Sequence, residues 1–103
     1  MMFAECSYAN FNDGNYLAKD MFEQEKSDND NSKNMFSVGN YSGYITGVAD
    51  TTAGIIWCPL SNVTIGQITK IVSKYLTNNP EKLHLSADYL VEEALKSAFP
   101  CKK

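Results

Sequence analysis

The sequence has no arginine and contains little histidine, proline and cysteine. Its nine basic residues are therefore all lysines, and twelve acidic residues bring the formal net charge to −3. Bidentate contacts to phosphate and guanine favour arginine, and nucleic-acid binding needs a basic surface, so DNA and RNA are not expected partners. Uninterrupted apolar runs are only a few residues long, so we expect neither a transmembrane helix nor a membrane partner.

Residues for catalysis and metal binding are also scarce. His84 is the single histidine, and no spacing pairs it with a serine or cysteine nucleophile. No Cys-x-x-Cys motif occurs, which argues against zinc. Glu92 and Glu93 are adjacent and would diverge around a helix, so they do not form a carboxylate pair. The sequence predicts no active site, no metal and no cofactor.

What is present fits one small globular domain. The chain has 103 residues, of which 44% are hydrophobic and 20% charged. Residues 1–12 are predicted to be a tail or the remnant of a signal peptide, because Ser7 and Ala9 resemble the small residues of a cleavage site. Residues 13–103 are then the single folded domain.

Apolar residues at helical spacing predict an all-α fold with four main helices and one short helical turn. Asp13 is expected to cap a first helix that ends near Lys26, and residues 33–53 form the second. Thr64 and Gln67 make a capping box that opens the third helix. The remaining predicted caps are Asn79, before the short turn at Pro80, and Ser86, before a last helix that Pro100 ends.

Three glycines lie four residues apart in the second predicted helix: Gly39, Gly43 and Gly47. Each glycine costs a helix up to about 1 kcal/mol relative to alanine. A close approach of another helix backbone in the core would explain this cost. We therefore expect the glycine face to be buried at a tight helix crossing.

The cysteines are Cys6, Cys58 and Cys101. Cys58 and Cys101 each neighbour a proline at the end of a helical pattern. A bridge between them would close a loop of roughly 40 residues and indicate an oxidising compartment. Two reduced structural cysteines are the alternative, and spacing alone does not choose between the two.

The irregular segment 54–63 contains the only tryptophan, Trp57. Either this loop folds back on the core, or it offers an apolar side chain to a partner, since tryptophan is enriched at binding hot spots. A separate candidate is the acidic segment Asp20–Asp30, because residues 1–30 carry seven acidic residues and two lysines. Such a segment serves either solubility or a basic partner.

Several motifs in order resemble the Rap/Tai group of type VI secretion amidase immunity proteins. The resemblance covers about residues 13–101 and rests on Gly43-Tyr44-Ile45-Thr46-Gly47-Val48-Ala49-Asp50, Cys58-Pro59, Val63-Thr64-Ile65-Gly66-Gln67, Val72-Ser73-Lys74-Tyr75-Leu76, Asn79-Pro80-Glu81, Leu83-His84 and Phe99-Pro100-Cys101. Members of this group commonly have two more cysteines, at positions that look like Met21 and Tyr41 here.

The resemblance implies a periplasmic, helical and often dimeric protein that performs no chemistry. It would bind a peptidoglycan amidase, a papain-like cysteine hydrolase, and inhibit it by blocking the active-site cleft. It also implies the Cys58–Cys101 disulfide, with apolar packing at Met21 and Tyr41 in place of the second bridge. The alternative function is a periplasmic helical structural protein, or one similar to the acid-stress chaperones.

Within this resemblance, we expect the segment Asp50–Asn62 to contact the amidase. Trp57 and Leu60 would be the apolar anchors, and Ser61 and Asn62 would make polar contacts near the catalytic groups. Asp50 begins this segment and belongs to the same predicted surface. The acidic segment Asp20–Asp30 is the second choice, through electrostatic steering of a basic amidase.

Overall fold

A computed structural model of the protein describes residues 12–27 and 29–102. These residues form four α-helices and one 3-10 turn, with no β-strand among them, which confirms the all-α prediction. The helices are α1 (Gly14–Glu25), α2 (Met35–Thr52), α3 (Ile65–Asn78) and α4 (Ala87–Ala98), and the 3-10 turn (Pro80–Lys82) lies between α3 and α4. The predicted tail, including Cys6, lies outside the described residues except for Asn12.

Two of the predicted helix caps are confirmed. The Asp13 side chain accepts a hydrogen bond from the Tyr16 amide at 2.9 Å. At the start of α3, the Gln67 amide donates to Thr64 Oγ1 at 3.1 Å, and the Thr64 amide donates to Gln67 Oε1 at 2.8 Å. These three bonds satisfy amides that a helix start leaves without a partner, so these boundaries follow from local sequence.

The other two predicted caps occupy the expected positions but do not make capping bonds. The Asn79 side chain donates backwards to the Tyr75 carbonyl at 2.8 Å, so the 3-10 turn has no side-chain cap. Ser86 Oγ donates to the Asp88 carboxylate rather than accepting from an amide of α4. In both places a competing local acceptor engages the side chain.

The core draws on all four helices. Its fully buried large side chains are Leu17, Met21, Tyr41, Ile45, Val72, Leu76, Leu90, Val91 and Leu95. Met21 and Tyr41 are therefore packed in the same hydrophobic cluster, as expected where two cysteines are missing. The Tyr41 hydroxyl also lies 2.6 Å from Ser73 Oγ, which links α2 to α3.

The glycine prediction for α2 is wrong. Gly39, Gly43 and Gly47 are exposed, and a Cβ added at any of them would meet nothing within 4 Å. The buried side of α2 is instead the one with Tyr41, Ile45 and Ala49.

The close backbone approach occurs at Gly14, the first residue of α1. A Cβ there would lie 2.7 Å from the Leu83 carbonyl oxygen and 2.5 Å from Leu90 Cδ1. The Gly14 amide donates to the Leu85 carbonyl at 2.8 Å, and the Asn15 amide donates to that of Leu83 at 2.9 Å. The start of α1 is thus joined directly to the segment that precedes α4.

Candidate functional site

The segment between α2 and α3, residues 53–64, is here called the α2–α3 loop. It opens with a tight turn in which Gly54 has a φ of +83° and its amide donates to the Trp57 carbonyl at 2.7 Å. The amides of Ile55 and Ile56 both donate to the Thr52 carbonyl, at 3.0 and 2.9 Å. These bonds turn the chain back beside the end of α2.

Trp57 lies in the core, because only 3% of its surface is exposed. Its Nε1 donates to the Ala49 carbonyl at 3.1 Å, and its ring centroid lies 5.9 Å from that of Phe99. The interpretation that the loop folds back on the core is therefore confirmed. The expectation that Trp57 is an apolar anchor for a partner is revised, because the indole is not available at the surface; it holds the base of the loop.

Cys58 and Cys101 form a disulfide, with their Cα atoms 4.8 Å apart. The Cys58 amide also donates to the Phe99 carbonyl at 2.9 Å, so the chain after α4 is fixed against the α2–α3 loop. The sequence separation of 43 corresponds to about 4 kcal/mol of stabilisation on the chain-entropy model. A bridged Cys58 has no free thiol, so it cannot act as a nucleophile in this state.

Beyond this base, the loop carries exposed apolar side chains. Leu60 is 68% exposed and Ile55 is 77% exposed. Pro59, Ser61 and Asn62 are also exposed, and Asn62 has a φ of +73°. Asparagine tolerates this left-handed conformation better than most residues. The structure therefore places Leu60, Ser61 and Asn62 together on one short surface segment.

Two details of this surface differ from the expectation or were missed. Asp50 is exposed but belongs to the last turns of α2, not to the irregular loop. Ile55 was not singled out from the sequence, although it is the most exposed apolar side chain of the loop. The available signal was the isoleucine pair that directly follows Gly54. Glycine favours a tight turn, and two isoleucines beside such a turn rarely both fit into the core.

The acidic segment Asp20–Asp30 is largely engaged within the protein. Asp20 is buried and accepts from Asn40 Nδ2 at 2.6 Å. Glu23 accepts from the Asn34 amide at 2.8 Å and pairs with Lys26 at 3.0 Å, and these contacts lower the pKa of its carboxyl group. Asp30 likewise accepts from Ser32, which lowers its pKa. Asp20 and Glu23 therefore join α1 to the start and first half of α2, whereas Asp30 bonds locally within the connecting loop.

A second acidic group lies where α4 packs against α2. Burial, followed by the charges of Asp88 and Glu93, raises the pKa of Glu92. Tyr44 of α2 is half-buried beside it, and burial together with the Asp88 and Glu92 charges raises its pKa to about 12. Among residues 12–27 and 29–102, no group of three or more His, Cys, Asp or Glu side chains is placed so that it could hold a metal ion.

A scan against protein families matches the model for Rap1a immunity proteins over residues 4–101. The chain belongs to the Rap1a immunity protein family. The match spans nearly the whole sequence and agrees with the resemblance that the sequence motifs indicated. A search of the curated proteins finds no match.

Membership in the Rap1a family gives the chain a functional context. The family consists of immunity proteins, so binding of a cognate effector is implied for this chain. None of the described helices of this Rap1a-family protein is both long and apolar enough to cross a membrane.

Proposed function

We propose that this Rap1a-family protein binds a type VI secreted peptidoglycan amidase and inhibits it by inserting the α2–α3 loop into the active-site cleft. The observation that carries the proposal is the exposure of Leu60 and Ile55 on a loop whose base is fixed by Trp57 and by the Cys58–Cys101 disulfide. A convex segment with apolar tips suits a concave enzyme cleft.

A fixed base favours tight binding because little conformational entropy is lost when the loop docks. Full burial of a leucine or isoleucine side chain contributes roughly 1.5–3 kcal/mol. In the complex, Leu60 and Ile55 would supply this apolar contact, and the adjacent Ser61 and Asn62 would hydrogen-bond to groups near the catalytic cysteine. Trp57, buried at the base of the loop, would hold these residues in position.

The same proposal assigns no chemistry to the protein itself and places it in the periplasm. Its disulfide suits an oxidising compartment. Inhibition then requires only that the loop occupy the cleft and exclude the peptidoglycan peptide.

We also propose a homodimer that uses the open face of α2. Phe36 is 81% exposed at one end of this face, and Gly39, Gly43 and Gly47 leave a shallow surface along it. A second copy could pack a helix closely there because no side chains intervene. The mass of the protein in solution, compared between the wild type and Phe36→Glu, tests this: loss of a dimer in the variant supports it, and an unchanged mass contradicts it.

The inhibition proposal is tested with a purified type VI peptidoglycan amidase of the papain-like class, assayed on purified peptidoglycan. Leu60→Glu and Ile55→Glu should each weaken inhibition by at least about tenfold, the scale expected for hot-spot residues. Phe22→Glu is the matched control, since Phe22 is 60% exposed on α1, far along the chain from the loop. Full inhibition by both loop variants would show that the loop does not enter the cleft.

A further inference from the structure

A pocket of about 460 Å³ lies between the end of α1 and the outer face of α3. Gln24 and Glu25 line it from α1, and Lys70, Ser73 and Lys74 line it from α3. The α3 residues follow the three- and four-residue spacing that places side chains on one helix face. None of these residues belongs to the α2–α3 loop, so the pocket is separate from the surface proposed to bind the amidase.

The two walls of the pocket carry opposite charge. Lys70 and Lys74 are exposed on α3, a helix with no acidic residue, whereas Glu25 ends α1. Within the described part of the chain, none of these three side chains forms an ion pair. Lys26, the C-cap that follows Glu25, pairs with Glu23 at 3.0 Å and not with Glu25.

Gln24 adds an unsatisfied hydrogen-bond acceptor. Its Oε1 atom is buried and has no hydrogen-bond partner among the described residues. A buried acceptor without a partner is costly, and the terminal torsion of a glutamine side chain turns easily. Rotation of the Gln24 amide toward the pocket therefore breaks no hydrogen bond of Oε1. It makes this oxygen available to a hydrogen-bond donor on a ligand.

The floor of the pocket is polar but neutral. Ser73 Oγ, which lines the pocket, lies 2.6 Å from the Tyr41 hydroxyl. Burial is the main cause that raises the pKa of Tyr41 to about 12; the Ser73 hydrogen bond lowers this pKa and the Glu25 charge raises it. The hydroxyl is therefore protonated at neutral pH and can donate to Ser73. Ser73 is then able to accept from Tyr41 and donate to a ligand oxygen.

From this arrangement we propose that the α1–α3 pocket binds a small amino acid with two carboxylates and one ammonium group. Lys70 and Lys74 bind the carboxylates, and Glu25 with Gln24 Oε1 binds the ammonium. The charges of Lys70, Lys74 and Glu25 sum to +1, which complements the net charge of −1 on such a ligand. The proposal does not rest on inhibition of an amidase.

The test is a titration of ¹⁵N-labelled protein with L-glutamate at low ionic strength, followed by amide chemical shifts. We expect saturable shifts at residues 24–25 and 70–74. Glutarate lacks the ammonium group and L-glutamine lacks one carboxylate, so each should bind about two- to fivefold more weakly, the scale of an exposed charge pair. Equal binding of glutarate or of L-glutamine would overturn the assigned ligand class, and no saturable shift would overturn the site.

Variants then separate the pocket from general electrostatic attraction. Lys70→Gln and Lys74→Gln should each weaken L-glutamate binding about two- to fivefold. Lys96→Gln removes the same charge from an exposed position on α4 that does not line the pocket, and it should leave binding unchanged. Because all three lysines are exposed, the variants should fold normally. A loss of affinity in Lys96→Gln as large as in the other two would overturn the proposal.

Discussion

The rings of Trp57 and Phe99 pack against each other at a centroid distance of 5.9 Å, beside the disulfide that joins the next residue of the loop to Cys101. The Phe99 carbonyl accepts from the Cys58 amide, so ring packing, a hydrogen bond and a disulfide all join the loop to the segment that follows α4. The base of the α2–α3 loop and the end of α4 are thus one structural unit. Leu60 and Ile55 extend from this unit into solvent.

The first prediction separates residues that hold the loop from residues that it presents. Trp57→Ala should reduce the free energy of unfolding by about 3–5 kcal/mol, because it removes a buried aromatic side chain and leaves a cavity. Leu60→Ala should change it by no more than about 0.5 kcal/mol, because the side chain is exposed. Urea denaturation of both variants measures the difference. Similar losses for the two would show that Leu60 is also part of the core.

The second prediction concerns glycines in two environments. Gly43→Ala should increase the free energy of unfolding by up to about 1 kcal/mol, because alanine favours the helix and its Cβ meets open space. Gly14→Ala should decrease it by about 1–3 kcal/mol, because the new Cβ overlaps the Leu83 backbone. Because Gly43 lies on the face proposed for the homodimer, thermal denaturation of both variants is measured in the Phe36→Glu background, in which that dimer is expected to be lost. If Gly43→Ala instead destabilises the monomer, Gly43 is buried at a helix crossing, as expected from the sequence.

The third prediction is a pH dependence at Glu92. Its raised pKa means that the folded state binds this proton more tightly than the unfolded state does, so its contribution to stability is complete below the unfolded pKa and is lost as pH rises through the folded value. Glu92→Gln should therefore be more stable than the wild type at pH 7 but not at pH 4. The comparison uses urea denaturation at both pH values.

The matched control for this prediction is Glu81→Gln, because Glu81 is an exposed residue of the 3-10 turn. Its stability relative to the wild type should not follow the pattern of Glu92→Gln. If Glu92→Gln gains no stability at pH 7, burial and the charges of Asp88 and Glu93 do not disfavour the charged carboxylate in the folded state.

Local patterns predicted the helices well. The capping box of Thr64 and Gln67, and the Asp13 cap, place two helix starts at the correct residues because they depend only on neighbours in sequence. The disulfide followed from the resemblance, since spacing alone left the reduced alternative open. By contrast, Ser86 and Asn79 were expected to cap and do not, because each side chain has a competing acceptor close by in the folded chain.

The candidate site was predicted only in outline. The segment around Leu60, Ser61 and Asn62 is at the surface, but Trp57 is beneath it and Ile55 was missed. The residue types of a loop do not indicate which apolar side chain turns inward. Here that choice depends on Ala49 of α2 and on Phe99, directly after α4; both contact the indole and they lie far from each other in sequence.

By itself, the sequence determined the number of helices, most of their ends and membership in a family of immunity proteins. These properties depend on short-range spacing, capping and the order of motifs along the chain. The tertiary structure alone decided that the glycines of α2 face outward, that Gly14 makes the close contact, and that Gln24, Glu25, Lys70 and Lys74 line one pocket. These depend on the rotation and position of each helix against the others, which the packing of the whole core sets and no local segment contains.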